Sequence, residues 1–135
     1  MQFIDTNILV YSVSDAPGEM RKRTMALEIL QDQDCALSVQ VLQEFYVQVT
    51  RQSRPRPLPH ELAVELIETW LRFPVIDVTP SILRHALALR QRFQFHYWDC
   101  AVLAAAHAGG CDTLLTEDLT HGQSIEGVRI ANPFR

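Results

Sequence analysis

The sequence is poor in the features that mark several protein classes. It carries only three cysteines, Cys35, Cys100 and Cys111, in 135 residues. The number is odd, no Cys-x-x-Cys pair occurs, and each thiol sits in an apolar stretch. A disulfide framework is therefore not expected; buried free thiols in a reducing cytosol are. A basic excess is also missing. Twelve Lys and Arg stand against sixteen Asp and Glu, a formal charge of -4. A tight, nonspecific nucleic-acid binder is usually basic. An enzyme whose acids are neutralised by a metal stays open. No window approaches the roughly 20 apolar residues of a membrane-spanning helix, and the start lacks the basic region and apolar core of a signal peptide. A cytoplasmic protein is expected.

What is present suits one ordinary globular domain, residues 1–135, with 47% hydrophobic residues. Phe3-Ile4 opens a strand, and Ile8-Leu9-Val10 continues the apolar run. After the turn signal Pro17-Gly18, Met20, Thr24, Leu27 and Leu30 recur at helical spacing. Cys35-Ala36-Leu37 reads as a second strand, with Ser38 as the N-cap of a helix whose stripe is Leu42, Phe45 and Val49. The prolines at 55, 57 and 59 make a stiff loop. Leu62, Leu66, Ile67 and Trp70 mark another amphipathic helix. Val75–Val78 reads as a third strand, and Thr79-Pro80 as a helix start, with Ile82, Ala86, Leu89 and Phe93 on the buried face. The stretch 98–106 is helical and apolar nearly all round, which places it in the interior. Gly109-Gly110 ends it. Thr113–Leu115 and Val128–Ile130 complete the strands. Strands alternating with helices imply a three-layer α/β domain with a mainly parallel sheet.

Four acids stand out against this frame. Asp5 follows the first strand, where a carboxylate is costly unless backbone donors, a cation or a metal satisfies it. Taken alone it reads first as a turn or helix cap and second as a metal ligand. Glu44 lies beside the apolar stripe of its helix. Asp99 falls in the first turn of the most buried helix, where a dipole interaction is the plainer reading. Asp118 follows the strand Thr113–Leu115, as Asp5 follows its own. Parallel strands present their carboxyl ends on one edge of the sheet, so the four can converge on one cleft. Clustered carboxylates repel unless a cation joins them or some take up protons. Hard oxygen ligands without His or Cys suit Mg²⁺ or Mn²⁺ better than zinc. Phosphodiester hydrolysis is the chemistry such a site supports.

These residues also carry a family resemblance. The segments Phe3–Asn7, Gln43-Glu44-Phe45, Trp98–Ala106 and Leu114–Leu119, with the tail Gly127–Phe134, resemble a PIN-domain ribonuclease of the VapC type, the toxin of a VapBC toxin–antitoxin pair. The resemblance covers essentially the whole chain. It implies a parallel sheet flanked by helices and a Mg²⁺- or Mn²⁺-dependent endoribonuclease. The implied catalytic and metal residues are Asp5, Glu44, Asp99 and Asp118. It assigns supporting roles to Asn7, beside the first acid, and Thr116, before the last. Cys100 stands where the family usually has alanine. Position in the motif favours Asp118 over Glu117 as the fourth acid. The partners implied are an RNA substrate, a small antitoxin that blocks the cleft, and a second copy in a homodimer.

RNA requires positive charge. Arg51, Arg54 and Arg56 cluster near the proline-rich loop, and Arg84, Arg90 and Arg92 on the helix before Asp99. His96, Tyr97 and Trp98 read as core or interface aromatics, or as a stacking surface for an unpaired base. His60, His85, His107 and His121 show no ligand spacing. Val64 and Leu71 fit an interface or a core. Competing functions are a stand-alone PIN nuclease in RNA processing, a non-cleaving RNA- or partner-binding module, and a phosphatase with an aspartyl nucleophile at Asp5. The last usually needs a second acid two residues on, where this chain has Asn7.

Overall fold

The computed structural model describes residues 1–135. In order, the elements are β1 (Gln2–Ile4), α1 (Thr6–Ser12), a 3₁₀ turn (Pro17–Glu19), α2 (Met20–Gln31), β2 (Cys35–Ser38), α3 (Val39–Thr50) and α4 (His60–Trp70). They continue with β3 (Val75–Ile76), α5 (Pro80–Phe93), α6 (Tyr97–Ala108), β4 (Thr113–Leu115), β5 (Ser124–Ile125) and β6 (Val128–Ala131). The strands form one sheet in the order β3-β2-β1-β4-β6-β5. All pairings are parallel except β5 with β6. Helices flank the sheet, as the alternating pattern implies for a three-layer α/β fold.

β1 is the middle of this arrangement. Phe3 pairs with Ala36 of β2 on one side and Leu114 of β4 on the other. Phe3, Ile4, Leu37 and Leu114 have no exposed surface. The strand is only three residues long. The apolar residues Ile8 and Leu9 do not extend it: they are the buried face of α1. Asp5 caps that helix, its side chain accepting from the Thr6 backbone N–H, and so ends strand and starts helix in one step.

The helix starts at Ser38 and Thr79 are as the sequence implies. Ser38 accepts from Val41 N, and Thr79 accepts from Ile82 N with Pro80 in the first turn. α6 is buried from Cys100 through Ala106. Its small side chains let β2, β4 and β6 approach closely. Val41, Phe45 and Val49 of α3 are fully buried, and Phe45 meets Trp70 of α4 edge to face at 4.7 Å.

Three sequence expectations shift. α2 buries Ala26 and Leu30, while Met20 and Leu27 face solvent. α4 buries Ala63 and Trp70 and exposes Leu62 and Val64, and Leu71 just beyond it is exposed too, so Val64 and Leu71 are not core. The third strand stops at Ile76, and Val78 is 63% exposed. β3 pairs only with Leu37 and Ser38, and β2 turns into α3 at that point, so later residues have no ladder to join. β5 has no sequence signal. It is two residues long, and a tight turn at Glu126 and Gly127, both at positive φ, folds it back on β6.

Removing the Thr79 cap by Thr79→Ala should lower stability by about 1 kcal/mol. Phe45→Ala should cost ~3–5 kcal/mol. Urea unfolding midpoints at constant slope check both.

Candidate functional site

Asp5 stands at the carboxyl end of β1 and is 6% exposed. Its Oδ1 accepts from Thr6 N at 2.7 Å. Its Oδ2 accepts from the Thr116 hydroxyl at 2.8 Å. The cap and ligand readings are therefore compatible, since the side chain caps α1 while facing the cleft. Thr116 follows β4 and is fully buried. Its backbone N–H donates to Ala131 of β6. Its hydroxyl oxygen also accepts from Asn7 Nδ2 and from Asp118 N, each at 3.1 Å. One hydroxyl thus connects the ends of the two central strands.

Asp118 is exposed at the cleft, and its Oδ2 accepts from Asn7 Nδ2 at 3.1 Å. Asp99, in the first turn of α6, is half-buried. Carboxylate oxygens of Asp5, Asp99 and Asp118 all lie within 4.8 Å of one another. Glu44 is outside this triad but lines the same cleft of about 780 Å³. It is held by the Thr6 hydroxyl at 3.0 Å and by Gln40 Nε2 at 3.2 Å. Thr6 and Gln40 are the supports that sequence reasoning passed over. Thr6 adjoins Asp5, and Gln40 precedes Glu44 by one helical turn, so both signals were present.

The electrostatics follow from crowding. Burial pushes the Asp5 carboxyl up to about 7, against the hydrogen bonds from Thr116 and Thr6, with Asp118 and Asp99 adding to the rise. The Asp99 carboxyl is also raised, first by burial, then by Asp118, with His96 opposing and Glu44 contributing further. Three oxygen donors so close together fit a hard divalent cation. Mg²⁺ sits about 2.1 Å from its ligands and accepts carboxylates with retained waters. The Oδ1 of Asn7, whose amide group bonds Thr116 and Asp118, is buried without a partner. No histidine or cysteine joins the triad, which disfavours zinc.

Glu117 is turned elsewhere, to Tyr11 and Lys22. Of the cations, Arg51 lines the cleft together with His96 and Trp98. Arg56 instead pairs with Asp15, and Arg92 with Glu126. Trp98 is 53% exposed, so it is not a core residue. His60 bonds Tyr46, His85 bonds Glu126, His121 accepts from Asn132 N, and His107 packs on His85. None of these four lines the cleft.

The raised Asp5 carboxyl has a thermodynamic consequence. Folding lifts it from 3.8 to about 7, so between those values the native state holds more protons than the unfolded chain. The contribution of this group to stability is then greatest at low pH and falls as pH rises toward 7. Without divalent cations, the protein should lose a few kcal/mol between pH 5 and pH 8 on this account. Asp5→Asn should flatten that slope, as read from urea unfolding at several pH values.

The family model for the PIN domain matches residues 3–122. No curated protein sequence matches the chain. Solved structures do match in fold. A toxin–antitoxin complex from Klebsiella pneumoniae aligns with a TM-score of 0.72 at 21% identity, over 98% of each chain. VapC20 of Mycobacterium tuberculosis, described as a sarcin-ricin-loop-cleaving toxin, aligns at 0.67 and 17% identity, over 84% of this chain and 87% of that one. VapBC2 from Rickettsia felis, bound to a promoter DNA fragment, aligns at 0.66 and 20% identity, over 97% of each. With the family model spanning most of its length and this acidic cleft at its strand ends, the chain belongs to the PIN domain family.

Proposed function

We propose that this protein is a Mg²⁺- or Mn²⁺-dependent endoribonuclease that acts as the toxin of a toxin–antitoxin pair, with the whole chain working as one domain in the cytoplasm. The observation that carries the reading is the convergence of Asp5, Asp99 and Asp118 on one cleft of a PIN fold. The three aspartates would hold the divalent cation, with Glu44 beside them on the cleft wall. Bound there, such a cation supplies an acidified water and charge neutralisation at the scissile phosphate.

The chain's own residues account for the rest. Thr116 and the Thr6 N–H fix the Asp5 rotamer, so its carboxylate needs no reorganisation when substrate arrives. Asn7 does the same for Asp118. Glu44, oriented by Gln40 and Thr6, stands in the cleft as a carboxylate able to accept a proton from the attacking water. Arg51 offers a positive charge to the RNA backbone in an otherwise acidic cleft. His96 and Trp98 on the cleft wall give an unpaired base a surface to stack on.

The partner reading draws support from the matched structures, several of which are toxin–antitoxin complexes, some bound to DNA. A small antitoxin partner is proposed on that basis; its seat in the cleft and a homodimer of this chain are proposed from the family resemblance alone. The apolar groove lined by Leu42, Val47, Ile67 and Leu71 adjoins the cleft through Gln43 and Val47, which line both.

Wild-type protein should cleave RNA with Mg²⁺ or Mn²⁺ and stop when EDTA is added. Asp5→Asn should lower the rate at least about 100-fold. Gel-resolved cleavage of several structured RNAs reads both effects. Cleavage that survives chelation and the substitution would sink the metal mechanism, and tight RNA binding without turnover would favour a non-cleaving module.

A further inference from the structure

Glu117 sits between Thr116 and Asp118, yet it takes no part in the acidic cluster. Its Oε1 accepts from the Tyr11 hydroxyl of α1, and its Oε2 pairs with Lys22 Nζ of α2 at 2.9 Å. Lys22 also donates to the Tyr11 oxygen at 3.1 Å, closing a three-membered network. The Lys22 ammonium lies 4.6 Å from the centre of the Tyr11 ring and 5.5 Å from that of Phe134. Phe134 is buried and meets Tyr11 edge to face at 5.1 Å. Arg21 holds the Phe134 carbonyl at 3.0 Å. Two helices and the C-terminal segment thus grip the residue that precedes Asp118.

The charges at issue are only partly buried: Lys22 is 35% and Glu117 24% exposed. An ion pair so placed contributes little through charge alone. Its three linked hydrogen bonds and ring contacts instead constrain direction. Thr116 is fixed by Asp5 and by the β6 ladder. With Glu117 pinned next to it, the chain leaves β4 in one conformation, and Asp118 is the acid delivered to the cleft.

We propose that Lys22 and Tyr11 are positioning residues that turn Glu117 away and so select Asp118 as the cleft acid. The proposal rests on the metal-site reading above. Two substitutions break the contact with opposite changes in charge. Lys22→Met removes a cation and Glu117→Gln removes an anion. If these side chains acted only through their field, Lys22→Met would tighten Mn²⁺ binding and Glu117→Gln would weaken it. If they position Asp118, both should weaken it, by about tenfold, and Lys22→Arg should restore most of the loss. Tyr11→Phe keeps the ring on Phe134, changes no charge, and should weaken binding in the same direction.

The measurement is Mn²⁺ titration calorimetry on the full chain, with thermal melts confirming that each variant is folded. Tighter binding by Lys22→Met, or unchanged affinity in Lys22→Met and Tyr11→Phe, overturns the positioning role. Should Lys22→Met fail to fold, Tyr11→Phe decides. A wild-type protein that takes up no Mn²⁺ removes the metal-site reading and the positioning role with it, whereas wild-type binding with the wrong response in the variants removes the positioning role alone.

Discussion

The hydrogen bond from Thr116 to Asp5 is the contact on which the cleft depends. It joins the carboxyl ends of β1 and β4, which are neighbours in the sheet but 111 residues apart in the chain. The same hydroxyl oxygen receives Asn7 and the Asp118 backbone. A buried hydroxyl used once as donor and twice as acceptor has no capacity left. It therefore has one orientation, and so do the groups around it. The consequence is a crowded set of carboxylates held in place by the fold before any ligand is bound, in the manner expected of a preorganised site.

That arrangement is costly for the isolated chain, since burial and like charge raise the carboxyls of Asp5 and Asp99. The sheet and α6 offset the cost with apolar packing. Phe3, Ile4, Leu37 and Leu114 have no solvent contact, and α6 is buried along most of its length. An apolar core thus holds a crowded acidic edge. Glu44 fits this view from another direction. It reaches the cleft from α3, tethered to Thr6 in the first turn of α1, so the cap of α1, a side chain of α3 and the ends of two strands meet at one place.

Much of this was legible in the residues. The α/β alternation, the caps at Ser38 and Thr79, the buried character of α6 and the four acids each have a local signature. Where legibility failed, the reason was tertiary. Ile8 and Leu9 looked like more of a strand because a short apolar run has the same composition in either state; the Asp5 cap decides for helix. Leu27 and Leu62 looked buried, but Ala26 and Ala63 face the core, because the neighbouring elements lie on that side. β5 left no trace, since two residues carry no period.

The sequence by itself determined the fold class and singled out four acids as candidates, because periodicity, caps and strand-end position are local properties of the chain. It favoured Asp118 over Glu117 only through position in the motif, with no physical reason, and it did not separate Glu44 from the triad. Those distinctions were decided by contacts between residues far apart in sequence. Lys22 and Tyr11 draw Glu117 outward, Asn7 and Thr116 hold Asp118 at the cleft, and Thr6 with Gln40 ties Glu44 to its wall. Direction of a side chain depends on its partners, and partners across 95 or 111 residues exist only once the chain has folded.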